Sequence, residues 1–156
     1  MAFYLKNKGK MQGSNYQLDI EPLCKIPVAV ASQFKQEKII ARVEIMLETN
    51  NQINSISTQF FKLLTGEFAT INITKQLARW SELSWAEFLQ AITSQKIDLT
   101  AKQEEKWLAR LKEKQAEVKK LQLTFNQTDA KIDQMVYALY QLNEEEIATI
   151  ESQANN

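Results

Sequence analysis

Asp98, Glu104, Glu105 and Lys106 come nearest in this chain to a catalytic grouping, an acid followed by Glu-x-Lys in the manner of a metal-dependent nuclease. Phosphodiester cleavage of that kind needs carboxylates that converge on one ion. Thr100 with Gln103 reads as a capping box that starts a helix, and on a helix Glu104 and Lys106 stand two positions apart and point to different faces. A solvated helical face is therefore expected here. The chain contains no histidine, which excludes Ser-His and Cys-His nucleophile pairs, histidine general bases and His-ligated metals. Cys24 is the only cysteine, so no intrachain disulfide can form, and a reducing, cytoplasmic setting fits best. No Gly-rich phosphate loop or dinucleotide fingerprint is present. The expectation is a chain without catalytic, cofactor-binding or metal-binding residues and without a cofactor.

Polar groups suited to binding do occur. The segment KNKGKMQGSNYQLD sets Lys8, Lys10, Gln12, Ser14 and Asn15 on a Gly-containing loop. Cationic and amide groups of this kind contact phosphates and, in a groove, base edges. These five are the candidate DNA contacts. A second basic run holds seven basic against four acidic residues between Lys102 and Lys120, and reads as an exposed coiled-coil face. Nineteen basic residues balance nineteen acidic ones, which argues against a free-standing DNA binder.

The elements that would position these groups are mostly helical. Only three Gly and two Pro occur in 156 residues, too little turn punctuation for a fold of many short strands. Four of those five, Gly9, Gly13, Pro22 and Pro27, fall within residues 1–33. There Tyr16, Leu18 and Ile20 alternate with polar residues, as do Ile26, Val28 and Val30, predicting short strands or extended segments at the end of a larger β-containing domain. Residues 34–156 are expected to form a helical domain. A first long helix, about 36–65, carries Ile39, Val43, Met46, Ile53, Phe60 and Leu64 in alternating steps of three and four, with Asn50 and Ser57 completing the stripe and Gly66 as its stop. Residues 67–99 read as a helical insertion, with Ser84 and Glu87 as a capping box, Leu83 and Phe88 as a hydrophobic staple, and Trp80, Trp85 and Phe88 packing back on the long helices.

A second long helix, about 101–142, carries Leu108, Leu111, Val118, Phe125, Ile132, Val136 and Leu139. A helix of that length needs a partner along most of it. The predicted fold is therefore mainly α, an antiparallel pair of long coiled-coil helices with a small helical insertion and a short extended or β segment at the N-terminus. Asn50, Gln115 and Asp129 are expected to interrupt the apolar seams and fix register. Asn143 with Glu146 should cap a last helix over 144–153. No apolar run approaches a membrane span.

The order of parts resembles the C-terminal specificity region of type IIG restriction-modification enzymes and, more distantly, type I restriction specificity subunits. GKMQGSNYQLDIEPLCKIPV is similar to the family's last recognition-domain loop, strand and "IP" exit, and it is followed by the Gln-x-x-Ile step at Gln36 and Ile39. KIDQMVYALYQLNEEEIATIE looks like the family's C-terminus. The resemblance implies a non-catalytic spacer that holds a DNA target-recognition domain at a set position relative to an adenine-N6 methyltransferase and endonuclease core. Its implied partners are DNA, met through the parent protein's recognition domain, and that catalytic core. The chain itself lacks an NPPY-type methyltransferase motif. A stand-alone helical interaction module whose stalk dimerises is the alternative; a monomer is expected of the spacer.

Overall fold

The computed structural model describes residues 10–12, 15–17, 24 and 28–154, and the chain divides into two units, Met1–Ser32 and Gln33–Asn156. In the first, β1 (Lys10–Gln12) pairs antiparallel with β2 (Asn15–Gln17), Met11 standing opposite Tyr16. Leu18, Ile20 and Ile26 lie outside the described residues. Val28 and Val30, expected in a second extended run, are exposed and belong to no strand.

The second unit is helical: α1 (Gln33–Glu67), α2 (Lys75–Ala78), a 3-10 turn (Trp80–Glu82), α3 (Trp85–Thr93), α4 (Ala101–Tyr140) and α5 (Glu144–Ala154). At 1.5 Å per residue, α1 and α4 extend about 50 and 60 Å. They pack against each other and run antiparallel. Glu67 at the end of α1 meets Lys106 near the start of α4, while Lys35 and Ile39 share a small apolar groove with Met135, Ala138 and Leu139. Twenty-eight residue steps separate Ile39 from Glu67 and twenty-nine separate Lys106 from Met135, so the helices stay in one register along the stalk.

The seam follows the predicted repeat, but the predicted flank is covered only under the insertion, where Leu64 is buried and Ser57 half-buried. Ile39, Met46, Ile53 and Phe60 form one column, as expected. The residues that alternate with them toward α4 are the partly or fully buried Arg42, Thr49 and Ile56, not Val43 and Asn50, which are exposed. Steps of four then three and of three then four both satisfy a 3.5-residue repeat, so spacing alone leaves the flank undetermined. On α4, Leu111 and Val118 are buried, and Phe125, Ile132, Val136 and Leu139 half-buried. Trp107, completely buried, takes the place at the head of this seam that the sequence assigned to the half-buried Leu108.

The polar interruptions also move by one residue. Asp129 is exposed, and buried Thr128 occupies the seam. Thr49 and Thr128 satisfy their hydroxyls on their own helices, donating to Ile45 O at 2.7 Å and Thr124 O at 2.8 Å. Gln115 serves the insertion rather than the seam, its amide Nε2 donating to Trp80 O at 3.1 Å and Leu83 O at 2.8 Å. Gly66 does not stop α1, which continues through Glu67; the chain leaves after the Phe68 amide donates to Leu64 O at 2.9 Å.

The insertion supplies the broadest part of the core. Thr74 caps α2 by accepting from the Leu77 amide, and Ser84 and Glu87 form the predicted capping box of α3. Gln95 clasps the backbone of Asn72 at both ends, accepting from its amide at 2.7 Å and donating to its carbonyl at 3.1 Å. Trp80 and Phe88 are buried against Phe60, Leu64, Trp107 and Leu111, with Trp85 and Leu83 half-buried at the edge. The Thr100–Gln103 box opens α4 as predicted. α4 closes at Gln141, whose φ of 56° is left-handed, and Asn143 and Glu146 cap α5 reciprocally at 2.9 Å.

Candidate functional site

Lys8 and Ser14 lie outside the described residues. Of the other candidate DNA contacts, Lys10 and Gln12 stand in β1 and Asn15 in β2, with Lys10 paired to Gln17 and Gln12 to Asn15. The paired backbones thus bring polar residue types together at both ends of the ribbon.

The groups that suggested nuclease chemistry are placed differently. Asp98 and Glu105 are exposed, and Lys106 is taken up by Glu67 at 2.7 Å. Among the described residues no three His, Cys, Asp or Glu side chains are grouped to hold a metal ion. The hydrogen bond from Lys106 is the largest influence holding the Glu67 carboxyl below its ordinary range, opposed by partial burial. Gln103 and the Trp107 indole also lie toward this carboxylate, although the buried indole N–H reaches no acceptor in hydrogen-bond geometry. In the basic run, Lys114 pairs with Glu117 at 2.9 Å, which raises its pKa, and the Arg110 guanidinium lies 5.0 Å from the Trp107 ring centre. These contacts engage Lys106, Arg110 and Lys114 of the seven basic residues in the run.

What the helix pair offers instead is a long face with two unlike halves. Near the insertion, Ser57 accepts from the Trp80 indole at 3.3 Å, Gln115 holds the 3-10 turn, and Leu64 is sealed. An open groove runs from there down α4, lined by Leu83, Ser84, Glu87, Gln115, Lys119 and Gln122. Two heptads from Ser57, Val43 lies exposed on the same side of α1, flanked by exposed Ile40 and Leu47. The sequence reading missed Ile40 and Leu47. Their signal was present in IIARVEIML, which is apolar on more than one flank, whereas a helix covered on one side needs only one stripe. At the far end, burial raises the Tyr137 hydroxyl pKa, with the charges of Asp133 on α4 and Glu151 on α5 adding to it.

A family model described as a domain of unknown function (DUF8810) matches residues 32–136. The chain belongs to this family. The DUF8810 match spans α1, the whole insertion and all but the last turn of α4, so the family's extent is that of the helix pair with its cap. No curated protein and no solved structure matches the chain. No helix among the described residues is long and apolar enough to cross a membrane.

Proposed function

We propose that this chain is a helical spacer of a restriction-modification protein, holding a DNA target-recognition domain at fixed distance and angle from an adenine-N6 methyltransferase and endonuclease core in the cytoplasm. The observation that carries this is the uninterrupted register of α1 against α4 from Lys35 to Glu67. A paired stalk of about 50 Å transmits position, and small misplacements at a reacting base cost large factors in rate. The division of the chain at Ser32, with the basic segment of Lys8 and Lys10 on the other side of it, fits a boundary between recognition and spacing parts. In this role the chain contributes no reacting group. The target adenine would be flipped into the distant methyltransferase pocket.

The test is twofold. The genomic reading frame that contains the chain should encode a methyltransferase core, in the same or an adjacent frame, and the tagged chain should retain that protein on pull-down. In the parent protein, Lys8→Glu with Lys10→Glu should weaken DNA binding and flatten its salt dependence. A frame with no methyltransferase nearby would overturn the spacer role, and an unchanged salt slope in the double variant would remove the two lysines from the DNA contacts.

A stand-alone interaction or dimerisation module is the second reading, favoured by the uncovered Ile40, Val43 and Leu47. Sedimentation separates the two. The spacer should sediment as a monomer of 18.0 kDa, whereas the module should self-associate through the stalk.

A further inference from the structure

The face of the helix pair that carries the insertion continues beyond it. On α1 this face runs through Leu64 and Ser57 under the insertion, then through Asn50 to Val43, each one heptad from the last. On α4 it runs through Gln115, which binds the insertion, then Gln122 to Asp129. The upper half is buried by Trp80, Leu83 and Phe88. The lower half carries an exposed apolar stripe: Ile40 is 54% exposed, Val43 40% and Leu47 60%.

Charge states what would fit there. Glu44 borders the stripe on α1 and Asp129 borders it on α4, and neither makes an ion pair among the described residues. Asp133, one turn beyond Asp129, adds a third carboxylate, sensed by Tyr137. An apolar strip between acidic borders matches a helix with apolar residues on one side and lysines or arginines flanking them. A second copy seated on the same strip would bring these carboxylates against their own counterparts, which opposes self-pairing.

We propose that the lower half of this face, built from Ile40, Val43 and Leu47 between Glu44 and Asp129, docks a basic amphipathic helix of a partner protein. The docked helix continues the layer that the insertion begins, so that the stalk is covered along this side by two elements end to end. The inference stands apart from the spacer role, since it requires a partner helix but no methyltransferase.

An 18-residue amphipathic peptide of Leu and Lys, and a counterpart with Glu in place of Lys, serve as probes in fluorescence anisotropy with the full chain. The Lys peptide should bind, more weakly at higher salt, and the Glu peptide should not. Ile40→Gln with Leu47→Gln should weaken binding about tenfold or more. Glu44→Lys with Asp129→Lys should do so several-fold, whereas Glu105→Lys, exposed on another part of α4, should change nothing. All of these are surface positions, so unchanged far-UV helicity certifies each variant as folded. Equal binding of both peptides, binding of neither, or binding indifferent to the Ile40 and Leu47 changes would overturn the proposal. So would self-association in the absence of peptide that is abolished by those two changes, since that assigns the stripe to a second copy.

Discussion

Trp80 lies flat on Phe60, their ring centres 4.1 Å apart and their planes 14° from parallel, and its indole N–H donates to Ser57 one turn earlier on α1. This contact fastens the insertion to the first long helix and lets Phe60 meet Trp107 edge-on across the seam, at 5.8 Å and 83°. Three elements distant in sequence thus share one aromatic centre.

Removing that centre should be costly. Trp80→Ala deletes a fully buried indole and leaves a cavity, with an expected loss of about 3–5 kcal/mol, read as a lower midpoint in urea denaturation. Ser57→Ala removes only the acceptor of the indole N–H and should cost about 1–2 kcal/mol. If the two variants melt together, the stack is not what fastens the insertion.

Two valines, one on each long helix, should behave oppositely. Val118 is buried in the seam, so Val118→Asp places a charge there without a partner and should destabilise by more than about 3 kcal/mol. Val43 was predicted to belong to the same core but is exposed, and Val43→Asp should stay within about 0.5 kcal/mol of the parent. Equal losses of melting temperature would restore the predicted flank.

Helix ends offer stabilising changes. Gly66 sits inside the last turn of α1 with nothing within 4 Å of where a Cβ would stand, so Gly66→Ala should raise stability by about 0.5–1 kcal/mol. Gln141 has a φ of 56°, a conformation that glycine adopts freely, and Gln141→Gly should gain about 1 kcal/mol. Thermal denaturation of each single variant checks both.

The Glu67–Lys106 pair should make stability depend on acid. Because the folded carboxyl titrates below its ordinary value of 4.5, the contribution is present at pH above 4.5 and is lost as pH falls through the lower folded value. The pair is partly exposed, so its size is about 0.2–1 kcal/mol. Lys106→Met should flatten the dependence of melting temperature on pH in that window; a slope identical to the parent's would show that the pair contributes nothing.

Much of this architecture was legible in the residues themselves. The capping pairs Ser84–Glu87, Thr100–Gln103 and Asn143–Glu146 mark helix starts because each satisfies amides that the first turn leaves open, and these are local bonds. The column Ile39, Met46, Ile53, Phe60 was likewise plain, since residues seven apart share a side of any long helix. On the candidate DNA contacts the sequence is informative about chemical type only. Lys8 and Ser14 lie outside the described residues, and no spacing in the sequence tells where Lys10 stands relative to a phosphate.

Tertiary structure decided what local spacing leaves degenerate. A heptad column can be completed on either of two flanks, and the choice of Arg42, Thr49 and Ile56 over Val43 and Asn50 was made by the position of α4. Trp107 and Leu108 are adjacent and both apolar, so only the packing of Phe60 and Phe68 against one of them selects the core residue. Gln115 reads as a register-fixing polar residue until the carbonyls of Trp80 and Leu83 come within reach of its amide. Helix identity and length follow from bonds and periodicities within a few residues along the chain, whereas burial depends on which surface of another segment arrives, which no local pattern encodes.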